Sequence, residues 1–249
     1  MARADRRAQR RPRARPRTSP RTARARGVNV FLAILWKDLV TEWRSRDRAV
    51  AMGLFAMLVV AVFEFALPEG AGERSRALAP ALLWVTYLFA ALLGLGRAFA
   101  LELENDALAA LALAPADRGW VFLGKAAANL LILGVVQALV AVIFALFFDA
   151  DWRPVALPLA GVIALGSLGL CSAGTLFGAV AVRTRFREVM LPLLLLPLLV
   201  PVISGAVRAT GALLGGAPTV PFEPIQLLIV TDAAYLILGF VGFEYVLDE

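Results

Sequence analysis

The side chains that most often carry catalysis or bind metals are almost absent from this chain. It has no histidine and one cysteine, Cys171, which lies inside an apolar run. Histidine is the commonest metal ligand and the commonest general base. Structural zinc sites are built from cysteine and histidine, and Ser–His or Cys–His nucleophilic pairs need an imidazole. The sequence therefore predicts no catalytic centre and no metal site.

One segment is close to a phosphate-binding loop. Residues 119–125 read GWVFLGK, with the two glycines and the lysine at the spacing of that motif. The next residue is Ala126, so the Ser or Thr hydroxyl that holds magnesium is missing, and the segment leads into an apolar run instead of following a strand. We therefore reject a nucleotide site on this chain.

Two acids lie within long apolar runs. Asp232 is about two turns into the last run, and Glu64 is near the end of the first. Ionisable groups within a membrane are costly and mark functional positions by default. We predict a functional role for Asp232 more readily than for Glu64, which is near enough to the membrane surface to reach water. Asn129 and Gln137 could form hydrogen bonds between helices.

The segment 97–125 has the pattern of a docking element. It contains an acidic stretch, then leucines at short spacing, then a proline that stops the helical run. A simple connector needs neither the leucine pattern nor the proline stop, so we predict that this segment binds a cytosolic partner. The residues assigned to it are Glu102, Glu104, Leu108, Leu111, Pro115 and Arg118.

The rest of the chain must place these residues in a bilayer. Of its 249 residues, 60% are hydrophobic, and the mean hydropathy is +0.77. About 20 apolar residues cross the hydrocarbon core as a helix, and the runs lack the alternation of a membrane β-barrel. We predict an all-α polytopic protein in which residues 208–223 make a short re-entrant or interfacial excursion. The expected spans are 49–67, 77–96, 126–148, 155–182, 189–207 and 224–243.

The first 47 residues differ from the spans. Eleven arginines lie between Arg3 and Arg26, and such a composition predicts a disordered tail over 1–28; contact with anionic lipid and an organellar transit peptide are the alternatives. Residues 29–47 place a tryptophan-bearing stripe on one helical face, typical of an interfacial helix. An ordinary surface helix packed on protein is the alternative. Residues 29–249 would form one six-helix transmembrane domain.

The basic residues predict the orientation. On the side that holds the N-terminus we count 21 lysines and arginines, against four on the other side. The more positive side stays cytoplasmic, so both termini and segment 97–125 are predicted to be cytoplasmic. A second cytoplasmic basic patch is formed by Arg183, Arg185 and Arg187.

The docking segment carries a resemblance to a known superfamily. Glu102-x-Glu104, the leucines, PADR at 115–118 and Gly124-Lys125 resemble the signature loop of ABC-2-type permeases, in which the loop between spans two and three rests on the ATPase subunit. More specifically, three stretches resemble the haem exporter protein B (CcmB) family of cytochrome c maturation. They are LLWVTYLFAALLGLGRAFALELENDALAALALAPADRG, GTLFGAVAVRTRFREVMLPLLLLPLLVPV and FEYVLDE. The resemblance covers about 30–249.

That resemblance implies a permease subunit in the bacterial cytoplasmic membrane. It would pair as two copies with an ABC ATPase, CcmA, which binds the ATP, and work with CcmC, CcmD and the haem chaperone CcmE. Either haem itself is exported, or ATP hydrolysis drives release of haem-loaded CcmE. The lack of histidine leaves no obvious axial ligand for haem iron, which favours the second role. No role passes to the arginine-rich tail, and nucleic acid is not an expected partner.

Three other functions fit the sequence less well. An ABC-2 permease for another amphipathic substrate would share the fold and the docking loop. An ion-driven secondary transporter should show inverted repeats and ion sites at the bilayer midplane, and we find no internal repeat. A membrane enzyme would need a cluster of catalytic groups.

Overall fold

The computed structural model describes residues 20–67, 72–104, 118–148, 152–181, 187–217 and 219–248, with side-chain environments for most of them. These residues form seven α-helices, and a short 3₁₀ turn, Arg153–Val155, leads into the fifth. The helices are α1 Pro20–Ser45, α2 Asp47–Ala66, α3 Gly72–Glu104, α4 Arg118–Phe147, α5 Ala156–Ala181, α6 Arg187–Leu214 and α7 Phe222–Asp248.

Six of these helices, α2 to α7, contain segments long and apolar enough to cross a bilayer. The shortest, α2, has 20 residues, which at 1.5 Å per residue is about 30 Å, the thickness of the hydrocarbon core. This confirms the prediction of an all-α polytopic membrane protein. The spanning segments are Asp47–Ala66, Ala77–Ala98, Arg118–Phe147, Arg153–Ala181, Val189–Leu214 and Phe222–Tyr245.

Several helices extend beyond the segments predicted from hydropathy. α3 continues to Glu104, and α4 already begins at Arg118, so the connection between them is 105–117 and not 97–125. We call residues 105–117 the docking loop. α6 continues to Leu214, so the first residues of the predicted re-entrant excursion are helical. α1 starts at Pro20, and residues 20–28 are therefore helix where a disordered tail was predicted.

The spanning segment of α3 is the most buried of the six. Its Trp84 and Tyr87 side chains are completely buried and pack edge to face, with ring centroids 5.6 Å apart. Trp84 Nε1 donates to Thr210 Oγ1 on α6 at 2.9 Å, and the Tyr87 hydroxyl donates to the Gln137 carbonyl on α4 at 3.0 Å. No water is available in the hydrocarbon core of a bilayer, so hydrogen bonds of this kind supply the partners that buried polar groups need.

The docking-loop ends of the helices meet at one end of the bundle. Arg97 near the end of α3 donates to the Asp47 carbonyl at the start of α2, and Phe122 at the start of α4 packs on Phe243 near the end of α7. α1 lies at this same end, because Ile34 belongs to the small apolar cluster that contains these two phenylalanines. The docking loop therefore leaves and re-enters the bundle where α1 crosses it.

Candidate functional site

The predicted docking residues fall partly outside the described structure. Leu108, Leu111 and Pro115 lie in the docking loop, outside the described residues. The sequence pattern suggested that Glu102 and Glu104 open a helix of their own. The backbone instead places both in the last turn of α3, because no glycine or proline interrupts residues 97–104.

Arg118 fixes the start of α4 to another helix. Its guanidinium donates to the Glu244 carbonyl at 2.9 Å, and that carbonyl belongs to the last turn of α7, where helix carbonyls carry partial negative charge. Of the predicted basic patch, Arg187 begins α6, whereas Arg183 and Arg185 lie outside the described residues. The return point of the docking loop is thus anchored to the bundle.

α1 has three different faces. One packs on α4, and this contact is so close that a methyl group on Gly124 of α4 would come 3.0 Å from the Phe31 carbonyl oxygen and 3.1 Å from Ile34 Cβ. A second face, about 140° around the helix, exposes Trp36 and Trp43, which are 71% and 75% exposed. The third face carries Lys37, Thr41 and Arg44, all exposed. One face of α1 therefore packs on protein, as the alternative interpretation of 29–47 expected, and the exposed tryptophan face is the one predicted to lie in the membrane interface.

The face of α1 that packs on the bundle carries two acids, each of which lies beside a buried cation of another helix. The carboxylate of Asp38 lies 3.8 Å from the ammonium group of Lys125 on α4, and that of Glu42 lies 3.0 Å from the guanidinium of Arg48 on α2. Lys125 is only 3% exposed and Arg48 only 7%. Removing one partner of a buried pair leaves an uncompensated charge, at a cost of about 3–5 kcal/mol. We call Asp38, Glu42, Arg48 and Lys125 the ion-pair cluster.

Glu42 also caps the helix that follows it. Its second carboxylate oxygen accepts a hydrogen bond from the backbone N–H of Ala49, at 2.8 Å, in the first turn of α2, where N–H groups lack partners within the helix. The chain changes direction between the two helices at Arg46, whose φ of 58° is left-handed. A carboxylate from α1 thus stabilises the start of α2 through charge and hydrogen bonding.

The cluster continues into the bundle through neutral side chains. The Arg48 guanidinium donates to Asn129 Oδ1 on α4 at 2.9 Å, and Asn129 Nδ2 donates to Thr175 Oγ1 on α5 at 3.0 Å. Four helices, α1, α2, α4 and α5, are therefore connected by one line of polar contacts. Of these residues the sequence singled out only Asn129 for such a role. Arg48 was counted there only among the cytoplasmic basic residues, and Lys125 also appeared in the rejected phosphate-loop motif and in the Gly124-Lys125 pair of the resemblance.

Asp232 occupies the contact between α7 and two other helices. It is 3% exposed, and neither carboxylate oxygen has a hydrogen-bond partner among the described residues. A methyl group at Gly169 of α5 would come 2.5 Å from Asp232 Oδ1 and 2.9 Å from Val202 of α6. The missing side chain of Gly169 therefore makes the space for this acid. One turn further along α7, the Tyr235 hydroxyl donates to the Leu198 carbonyl of α6.

The other chemistry-bearing groups are dispersed. Glu64 is half-buried in the last turn of α2, at the end of the bundle opposite to the ion-pair cluster. Cys171 is buried and unpaired with another cysteine. No three His, Cys, Asp or Glu side chains come together in a way that could hold a metal ion, within the residues the structure describes.

Comparison with known proteins gives a consistent result. The family model for the CcmB protein matches residues 29–243, which is α1 from its tenth residue to most of α7. The chain belongs to the CcmB family. Heme exporter protein B of Paracoccus denitrificans is 34% identical over 208 residues, which cover 83% of this chain and 93% of that protein.

Two further relatives of the same name agree with that assignment to the CcmB family. The Rhodobacter capsulatus protein is 35% identical over 173 residues, covering 69% of this chain and 78% of its own length. The Pseudomonas aeruginosa protein is 30% identical over 186 residues, covering 73% and 82%. The CcmB match begins after the arginine-rich segment and includes the whole ion-pair cluster. The chain is therefore a multi-pass transporter permease of this family, as its sequence suggested.

Proposed function

We propose that this chain is the permease subunit of an ABC transporter complex for cytochrome c biogenesis. A separate ATPase subunit of the CcmA type would bind the docking loop and supply the energy of ATP hydrolysis. The observation that carries the proposal is the CcmB family match over 29–243, together with relatives named heme exporter protein B. The bundle suits this role because both ends of the docking loop emerge at one end of it, with Arg118 bonded to α7.

The work done with this energy is the export of haem or the release of haem-loaded CcmE. The absence of histidine from the chain favours the second, since a buried axial ligand for haem iron would be hard to supply. CcmC and CcmD would be further partners, and two copies of the chain would form the core of the complex. Deletion of the gene tests this function. Loss of c-type cytochromes would support it, whereas normal c-type cytochromes would point to another amphipathic substrate.

The proposed location is the bacterial cytoplasmic membrane, with both termini and the docking loop in the cytoplasm. The supporting observation is the excess of basic residues on that side. α1 would then lie along the cytoplasmic surface with Trp36 and Trp43 in the headgroup layer, where tryptophan is favoured. Its Lys37 and Arg44 would face the water and the lipid phosphates.

The docking proposal is tested by placing a charge on its apolar surface. We expect the double variant Leu108→Asp/Leu111→Asp to lose co-purification of the ATPase subunit, because two carboxylates cannot be buried unpaired in an apolar groove. Ala110→Asp is the control, since on a helix residue 110 would lie about 160° from Leu108 and about 100° from Leu111. Equal ATPase recovery with the double variant and with the control would refute the docking role.

A further inference from the structure

The ion-pair cluster lies next to the docking loop along the chain. α4 begins directly after that loop, and Lys125 and Asn129 follow within about three helical turns of Arg118. α1 runs along these turns, with Ile34 against Gly124 and Asp38 beside Lys125. A displacement of the docking loop that moves the start of α4 would therefore also move α1.

Two features make α1 and the start of α4 difficult to separate. α1 lies so close to Gly124 that an added methyl group there would come 3.0 Å from the Phe31 carbonyl oxygen and 3.1 Å from Ile34 Cβ, which leaves little space for sliding. Separation would also move the Asp38 carboxylate away from the ammonium group of Lys125, which is 3% exposed. Losing an opposite charge beside a buried cation is costly.

The same cluster connects this pair of helices to two others. Glu42 holds Arg48 and the first turn of α2, and Arg48 reaches Asn129, which in turn bonds Thr175 of α5. Hydrogen bonds to charged groups are the stronger and more directional ones. The line of contacts therefore connects α4, which follows the docking loop, to the last turn of α1, to the first turn of α2 and to α5.

We infer that α1 and the first turns of α4 form one rigid body, held together by Asp38 and Lys125, which carries displacement of the docking loop into α2 and α5 through Glu42, Arg48, Asn129 and Thr175. These are positioning residues and touch no substrate. The inference rests on the proposed function, because it needs an ATPase subunit that moves the loop. It assigns to α1 a mechanical role in addition to its place at the membrane surface.

The test measures coupling in the complex of this chain with its ATPase subunit in lipid nanodiscs. The readout is the number of ATP molecules hydrolysed for each haem-loaded chaperone released. For Asp38→Asn we expect unchanged recovery of the ATPase and a rise in this ratio of about tenfold, in the range found for coupling residues. A purely structural role would lower hydrolysis and release together and leave the ratio unchanged.

A covalent bond should replace the ion pair. In a Cys171→Ser background, Ile34→Cys and Gly124→Cys place two Cβ atoms 3.1 Å apart, a few tenths of an ångström short of the usual disulfide separation of about 3.5–4.5 Å. With Asp38→Asn also present, oxidation should return the ratio to the wild-type value, and reduction should raise it again. Ile34→Cys with Gly124→Ala is the matched control, which oxidation should not affect.

Two results would overturn the inference. One is a wild-type ratio in Asp38→Asn, and the other is a disulfide that stops release, which would mean that α1 and α4 must separate. If Asp38→Asn is not recovered as a complex, Thr175→Val tests the other end of the line with a side chain of the same shape, and the same rise in the ratio is expected. Failure of the ATPase to co-purify with the unaltered chain would refute the proposed function instead.

Discussion

Asp232 shows what the structure adds to a sequence prediction. The sequence singled it out as an acid within an apolar run, and the structure buries it at the junction of α5, α6 and α7 with no hydrogen-bond partner among the described residues. Its functional role stays a prediction. Its surroundings also explain why residue 169 is a glycine. Gly169 is the residue that leaves room for the carboxylate.

This arrangement predicts a specific loss of stability. Gly169→Ala should lower the free energy of unfolding by about 1–3 kcal/mol, the usual effect of overfilling a packed site, because its methyl group would meet Asp232 and Val202. Asp232→Ala in the same chain should recover much of the loss. The measurement is thermal unfolding of the purified protein in detergent.

Gly161→Ala provides the control on the same helix. It is exposed, with nothing near the added methyl group, so the substitution should be neutral or stabilise α5 by up to about 1 kcal/mol through better helix propensity. If the space beside Gly169 were not filled, the two substitutions would have the same effect. Equal melting temperatures of the two variants would therefore contradict our description of this site.

The ion-pair cluster was harder to predict from sequence. Arg48 and Lys125 stand at the edges of apolar runs, where basic residues usually mark the cytoplasmic surface. Only the crossing of α1 over α4 turns them into buried partners of Asp38 and Glu42. The available signal was the spacing of Asp38 and Glu42, four residues apart on one helical face, but a sequence does not show which helix that face will meet.

At the scale of the helices, the presence of six membrane-spanning helices was easier to predict than the residues at which they begin and end. Six long apolar runs can satisfy their backbone groups in lipid only as helices, and the six spans follow from this. Hydropathy marks only the part of a helix that lies in hydrocarbon, whereas α3 continues past its apolar run to Glu104. The three prolines within α6 do not end it, because a break there would expose more unsatisfied backbone to lipid.

The three faces of α1 lead to a prediction about how deeply this helix lies in the membrane interface. Spin labels on Trp36→Cys and Trp43→Cys should be accessible to oxygen dissolved in lipid, and labels on Lys37→Cys and Arg44→Cys to a water-soluble nickel complex. The physical reason is the preference of tryptophan for the interface and of the charged groups for water. Measurement is by power-saturation electron paramagnetic resonance in vesicles, in a Cys171→Ser background.

Each pair of labels in this experiment is its own control. Trp36 and Lys37, like Trp43 and Arg44, differ by one residue and by about 100° around the helix, so that position along the chain is matched. Equal nickel accessibility at neighbouring positions would show that α1 is surrounded by water and does not lie in the interface.

For the whole molecule, the decisive property is which end of the bundle faces the ATP. The contacts of Arg97, Arg118 and Lys125 bring the basic positions counted as cytoplasmic to one end. Thr219, between α6 and α7, belongs to the other end and is exposed. A docking loop can couple to nucleotide hydrolysis only if its end of the bundle is the cytoplasmic one.

Thiol labelling decides this orientation. In a Cys171→Ser background, we expect a membrane-impermeant maleimide to label Thr219→Cys but not Ala110→Cys in intact cells, and to label Ala110→Cys once the membrane is inverted. The reason is the excess of lysine and arginine at the docking-loop end, which resists translocation. Labelling of Ala110→Cys in intact cells would put the loop on the side without ATP. The ATPase could not then bind it, and the mechanical role of α1 would have no source of movement.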